Sequence, residues 1–241
     1  MISDPWFSLR QSNFGNEEPE IKLIAITTPI GSYDPEDPKG NIECIPAIAA
    51  GTSYNKEANS IEKAKALNKK LIKMGHNVPI ESIQYNFHIT GLSKAAGAQM
   101  SRHRSQNHVS LSRRYTQQQP KFVYPTLNYM KNEDEVEATY KLMSGACENA
   151  YRAYKFLIDT GAKKQDARLV MPVNVATTRN AWANARALRD FFRLRLDPAA
   201  EEEIRRLAFM LLDIVYTATP SLFEDIVEKF KNNLQLIAEK A

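Results

Sequence analysis

Hydrophobic and polar positions alternate with a period of two in some stretches of the chain and of three to four in others, and the switches between them outline the expected elements. Residues 22–28 read as a buried strand closed by Pro29, and a loop rich in Pro, Asp and Gly follows to about Gly40. A short helix is expected over 45–50. A clearer one runs over 60–74, where Ile61, Ala64, Leu67, Leu71 and Met74 share a face and Gly75 is placed to stop it. Next, Ile83, Tyr85, Phe87 and Ile89 alternate with Gln84, Asn86, His88 and Thr90. Such alternation buries one face of a strand only, which suits an antiparallel sheet better than a parallel one.

After Gly91 a helix of small residues is expected over 93–103, leading into an arginine-rich segment and a polar stretch that ends near Pro125. Over 136–159 the residues Val136, Tyr140, Met143, Cys147, Tyr151, Tyr154 and Ile158 recur at helical spacing, with Gly161 beyond the end. The stretch 182–196 is also read at helical period. Two closing helices are expected to start at Pro198 and Pro220, since proline suits a first helical turn. The polar opening, residues 1–20, reads as an arm that orders against another subunit. No internal repeat or interior linker interrupts the rest. The expectation is one α+β domain over 1–241, with an antiparallel or mixed sheet and several long helices.

The composition, 43% hydrophobic and 25% charged over 241 residues, is that of a chain able to bury a full core. The net charge of +4 speaks against a whole-surface nucleic-acid binder, but the positive charge is uneven. Arg102, Arg104, Arg113 and Arg114 crowd one segment, and Arg179, Arg186, Arg189, Arg193 and Arg195 another. The two cysteines and four histidines have no metal-ligand spacing, so neither a disulfide framework nor structural zinc is expected. With no apolar run near the ~20 residues that span a bilayer and no signal-peptide pattern at the start, the expected location is the cytoplasm.

No glycine-rich phosphate loop occurs, so a bound dinucleotide would need side-chain cations to hold its phosphates. Between Gln99 and Tyr115 the guanidinium groups, hydroxyls and amides offer forked donors for phosphate and directional groups for a base or sugar. A solvated basic loop has the same look. The preceding Ala95, Ala96, Gly97 and Ala98, however, would let a ligand or another helix approach the backbone closely. In the second cluster Arg186, Arg189 and Arg193 fall on one polar side, whereas Asn184 and Arg195 fall among Ala181, Leu188, Phe191 and Phe192. A charge there is paired, held for a ligand, or set against the last carbonyls of its helix. Arg168, ahead of an apolar run, poses the same choice against an internal ion pair, and His76, on a loop after Gly75, would alone read as an ordinary surface histidine.

The run Arg102-His103-Arg104, seven residues, then Ser112 resembles the signature of flavin-dependent thymidylate synthases. The likeness continues through Arg114 and Tyr115, and outside the signature through Gly75-His76, Gln99, Arg168, Asn184-Ala185-Arg186 and Arg195. The resemblance implies that family's fold and a homotetramer with active sites between subunits. It also implies FAD, with NADPH and methylenetetrahydrofolate as co-substrates, and methylation of dUMP at carbon 5 of the uracil. By that similarity Arg102, His103, Arg104, Ser110, Asn184, Arg186 and Asp190 occupy flavin-contact positions. Gln99, Arg102, Ser112, Arg114, Arg168 and Arg195 would hold the nucleotide, Arg195 would also face the uracil, and His76 would sit near flavin and folate. The cysteines agree with a reaction that needs no thiol nucleophile, because Cys147 lies on an apolar helix face and Cys44 has no evident base beside it.

Three positions depart from the pattern: Val109-Ser110 stands where Asn-Glu is usual, Val78 where a small hydroxyl residue is common, and Asp190 where an Asn is common. Losing a carboxylate beside the ribose would admit a different sugar, so UMP or another uridine nucleotide is the second expectation. A nucleic-acid binder using residues 102–114 is a third, disfavoured because Tyr115 is the only aromatic side chain near that segment.

Overall fold

The computed structural model describes residues 17–29, 38–54 and 60–238. Among them are four strands, β1 (Glu20–Ile26), β2 (Gln84–Ser93), β3 (Gln106–Ser110) and β4 (Ala176–Asn184), in one antiparallel sheet of order β1-β2-β4-β3. The helices are α1 (Pro38–Tyr54), α2 (Ile61–Lys73), α3 (Lys94–Met100), α4 (Glu133–Asp159), α5 (Lys164–Ala167), α6 (Ala185–Arg195), α7 (Glu202–Ala218) and α8 (Glu224–Ala238). The class is α+β, as the periodicity implied.

The chain forms two compact units built from alternating segments. The first comprises Ile89–Gln99 and Val109–Arg179 with residues 17–20; the second comprises Ile21–His88, Met100–His108 and the chain from Asn180 onward.

The first unit is organised by α4. Asn132 caps this helix by accepting from Asp134 N at 3.0 Å, and Glu133, Asp134 and Glu135 set negative charge at the positive end of its dipole. Its apolar stripe, Tyr140, Cys147 and Tyr154, packs with Phe122, Tyr124, Leu127, Ala167, Met171 and Val175 in one buried cluster. Two tyrosine hydroxyls there are satisfied: that of Tyr154 accepts from Gln118 N at 2.9 Å, and that of Tyr140 donates to Pro125 O at 2.7 Å. Residues 1–16 of the expected arm lie outside the described residues. Its last part is held by its own chain, through Glu17 N donating to Phe122 O and an ion pair of Glu17 with Lys121 at 3.0 Å.

In the second unit the Ser60 hydroxyl caps α2, and Gly75 follows the helix with φ +76°, a conformation that costs glycine little. Alternation along β2 sends Tyr85 and Phe87 into the core, where Tyr85 meets Phe223 edge-on at 6.1 Å and shares a 2.6 Å hydrogen bond with the Thr219 hydroxyl.

Four expectations are corrected. The short helix at 45–50 is the middle of the 17-residue α1, which continues through Pro46 because its buried face is anchored by tertiary contacts: Glu43 O accepts from the Asn68 amide at 2.7 Å, and the Glu43 carboxylate accepts from Ser221 N at 2.6 Å. Inside the arginine-rich segment lies a strand, β3, whose alternation is masked by polar side chains. The stretch 182–196 is a strand end followed by a helix, with α6 starting only at Ala185. Neither proline opens the helix expected of it. Asp197 and Pro198 form a turn before α7, with Asp197 Oδ1 accepting from Ala199 N, and Pro220 opens a separate 3-10 turn, Pro220–Leu222, before α8.

Candidate active site

In the first unit the chain leaving β3 stays alongside β4, with Leu111 N donating to Thr178 O at 2.9 Å. That pairing brings residues 110–113 beside residues 177–179. Arg113 is clamped there, its Nη2 donating to Val175 O at 3.0 Å and Ala176 O at 3.2 Å. Lys94, at the start of α3, donates its backbone N–H to Val175 O at 3.1 Å, and Arg168 enters from the 3-10 turn after α5 with Nε donating to Gln165 O at 3.2 Å. Together these segments line a cavity of about 260 Å³. Its walls carry Lys94, Arg113, Arg168 and Arg179 with Ser110, Ser112 and Thr177, and no carboxylate among the described residues.

Burial, with the charge of Arg168 as the second cause, holds the Arg113 guanidinium below its ordinary range, and burial alone does the same for Arg179. Both remain cations near neutrality, because an arginine starts far above that pH. The Ser110 Oγ is buried with no hydrogen-bond partner among the described residues, a condition that costs roughly 1–3 kcal/mol unless a ligand relieves it. A pocket with these properties is suited to a phosphate ester.

The second unit holds a different group. His103 stands in the turn between α3 and β3 with its ring edge-on to Phe191 at 4.9 Å, at the end of an aromatic series that continues through Phe192 to Phe223. Arg195 Nε, in the last turn of α6, donates to His103 Nε2 at 3.0 Å. Burial first, and the Arg195 charge second, push the imidazole below its ordinary value of 6.5, with Asp190 opposing. His103 is therefore neutral at pH 7 with its proton on Nδ1. Arg102 and Arg104 flank it, exposed and without an ion pair among the described residues.

A family model described as thymidylate synthase complementing protein matches residues 39–221. The chain belongs to the thymidylate synthase complementing protein family. Among relatives, it is 31% identical over 181 residues to a flavin-dependent thymidylate synthase of Thermotoga neapolitana, covering 75% of this chain and 83% of the relative. It is 33% identical over 189 residues to the enzyme of the same description from Thermosipho africanus, covering 73% and 82%. A solved structure of a UMP/dUMP methylase, PolB, from Streptomyces cacaoi bound with 5-Br dUMP has the same fold at a TM-score of 0.75 and 20% identity, over 89% of this chain and 97% of that one.

In this member of the family the expected site residues fall into two sets. Ser110, Ser112 and Arg168 line the cavity, and Arg114 adjoins it, its Nε donating at 3.1 Å to Oε1 of the same Gln165 that holds Arg168. Gln99, also in the first unit, lies on α3 and is not among the cavity's lining residues. Arg102, His103, Arg104, Asn184, Arg186, Asp190 and Arg195 belong to the second unit, as does the exposed His76.

Two expectations about α6 change. Asn184 is not on the helix's apolar side but is its N-cap, accepting from Ala187 N at 2.8 Å. The fully buried guanidinium is not Arg195 but Arg189, at 1% exposure, which donates to both oxygens of Asp225 at 2.7 and 2.6 Å and to Leu222 O. Arg186, in contrast, pairs at the surface with Glu81 at 2.6 Å, and Arg193 with Asp190 at 3.3 Å.

Lys94 and Thr177 line the cavity without any sequence signal of their own, and Arg113 and Arg179 stand out in the sequence only as members of the two arginine-rich clusters. One further signal does bear on Arg179. The small residues of α3 allow a close approach to the backbone, and what approaches is Arg179: a Cβ on Gly97 would stand 2.9 Å from its guanidinium.

Proposed function

We propose that the chain is a flavin-dependent enzyme that methylates carbon 5 of a uridine monophosphate nucleotide, converting dUMP to dTMP with methylenetetrahydrofolate as carbon donor and NADPH as reductant. The observation that carries this reading is the union of Ser112 and Arg168 in one basic cavity, in a family whose relatives bear that activity in their names. The cavity's cations would bind the nucleotide phosphate, with Ser112 and Arg114 orienting it and Gln99 as a further contact.

The residues around His103 fit a flavin. Arg102 and Arg104 keep exposed guanidinium groups that can take its diphosphate, the neutral imidazole adds an Nδ1 donor without another charge, and Asn184 has its amide N–H groups left after spending its oxygen on the cap. Arg186 and Asp190 would complete that contact, with His76 near flavin and folate. The bound flavin would supply the reducing equivalents that turn the transferred one-carbon unit into a methyl group. Arg195 would stabilise negative charge gathering on the pyrimidine as carbon 5 becomes nucleophilic, and its bond to His103 fixes the direction of its guanidinium. No cysteine is needed: Cys147 is packed in the α4 core and Cys44 is buried within α1.

The working form would be a cytoplasmic homotetramer with active sites completed between subunits. Purified protein reconstituted with FAD should be yellow and should form dTMP from dUMP, NADPH and the folate. Failure to bind FAD under any condition would overturn the reading.

A second substrate, UMP, is favoured by Val109-Ser110 in place of Asn-Glu: a small hydroxyl, buried and unsatisfied, faces the same cavity where a carboxylate is usual. Turnover of UMP against dUMP decides it, and a preference for dUMP of several orders of magnitude removes UMP from consideration.

A further inference from the structure

Ser112 and Arg114 carry the family likeness on either side of Arg113, and that likeness gives the residue between them no role. The fold sets Arg113 in the cavity wall. It is half-buried, and its Nη2 donates to main chain at the start of β4, to Val175 O at 3.0 Å and Ala176 O at 3.2 Å. These contacts leave the N–H groups of Nε and Nη1 unspent. The influences on its charge are burial and the neighbouring Arg168 guanidinium, with no carboxylate opposing them. A cation so placed gains more from an arriving anion than a solvated one does.

The other cations of the lining are placed differently. Lys94 is exposed, and ordering a long side chain around a ligand costs about 2- to 12-fold in affinity. Arg168 is exposed too and is held at one point, by Nε on Gln165 O. Arg179 is engaged with other groups of the chain. Arg113 alone has its guanidinium plane fixed beforehand by a pair of carbonyls, so little freedom remains for a ligand to remove. Charge agrees with this division: a phosphate monoester carries about −1.5 to −2 at neutral pH, which Arg113 and Arg168 together match.

We infer that Arg113 is a substrate-binding residue of this chain, gripping the nucleotide's phosphate beside Arg168 with the donors its carbonyl contacts leave, and that it sets the preference for the monophosphate over the free nucleoside. This rests on the reading that a uridine monophosphate occupies the cavity, and it assigns within that reading the cation on which recognition of the phosphate depends most.

The test is calorimetric titration of the full chain, with and without FAD, using dUMP, UMP and the nucleosides deoxyuridine and uridine. The parent is expected to bind its tighter nucleotide at least about 100-fold better than the matching nucleoside. Arg113→Met should weaken that nucleotide about 10- to 100-fold and the nucleoside less than about 3-fold, whereas a general distortion of the cavity would weaken both. Lys94→Met should cost the nucleotide less than Arg113→Met does. If Arg113→Met does not fold, Arg113→Lys decides: it keeps a charge and a donor for the carbonyls but loses the planar fork, and should still weaken the nucleotide alone by about 5-fold or more. Nucleotide affinity within about 3-fold of the parent in the deciding variant overturns the inference and leaves the nucleotide reading in place. An equal loss for the nucleoside, a larger loss in Lys94→Met, or a parent that binds nucleoside as tightly as nucleotide does the same. A parent that binds neither dUMP nor UMP defeats the nucleotide reading and this inference with it.

Discussion

Arg195 and His103, 92 residues apart in sequence, are joined by a 3.0 Å hydrogen bond in which the guanidinium donates and the imidazole accepts. The direction of that bond sets the tautomer, because an imidazolium has no lone pair to offer. The expected outcome is that His103 titrates below 6.5 and that Arg195→Met raises its titration point, as followed by imidazole nuclear magnetic resonance. The sign for stability follows from the direction of the shift. A histidine whose folded value is depressed binds fewer protons folded than unfolded, so its contribution is complete above 6.5 and is lost as pH falls through that value towards the folded one. A titration point above 6.5 in the native protein would contradict the geometry.

Arg189 is held by Asp225 on one side and by Leu222 O on the other. Asp225→Asn would leave a guanidinium at 1% exposure without its counter-charge. Removing one partner of a fully buried pair costs ~3–5 kcal/mol. Because the carboxylate is 49% exposed, solvent screening reduces the expectation to about 2–3 kcal/mol. Denaturant unfolding measures it, and a loss under about 0.5 kcal/mol would mean that the pair is a surface one in its energetics.

Gly91 sits within β2 at φ +68°, and a Cβ there would overlap the carbonyl oxygen of Glu18. Gly91→Ala carries both a backbone cost and a steric one against main chain that has no rotamer to yield, together roughly 3 kcal/mol. Gly97→Ala meets only the far end of the Arg179 side chain and should cost less than half as much. The ranking of the two unfolding midpoints is the check, and a reversed order would rule out the stated cause.

Arg102 and Arg104 are exposed, so replacing both with Met should leave the unfolding midpoint within about 0.5 kcal/mol of the parent. Under the proposed function the same change should weaken FAD binding by at least about 100-fold, read from flavin absorbance after dialysis. Retention of flavin at the parent level would remove these two side chains from the cofactor site.

Much of the fold was legible because its signals are local. Helix α2 announces itself through Ser60, one apolar face and Gly75, and β2 through alternation of Tyr85, Phe87 and Ile89 with polar residues. Local rules predict a shorter α1 because Gly40 and Pro46 are breakers, and the buried contacts of Glu43 with Asn68 and Ser221 explain why the helix persists. Strand β3 was missed because it is bordered by charges and pairs with a strand more than sixty residues away. Pairing across such a distance leaves no periodic trace.

By itself the sequence determined the class of the protein, its family signature at Arg102-His103-Arg104 and Ser112, and the presence of two arginine-rich segments, because residue type and spacing carry that information. Tertiary structure alone decided the assignment of the arginines: Arg189 to a structural pair with Asp225, Arg195 to His103, and Arg113, Arg168 and Arg179 to one cavity. The physical reason is that a guanidinium looks the same in any sequence. Its role is set by the groups that folding places around it, a carboxylate in one case, a neutral imidazole in another, and backbone carbonyls, hydroxyls and further cations in the third.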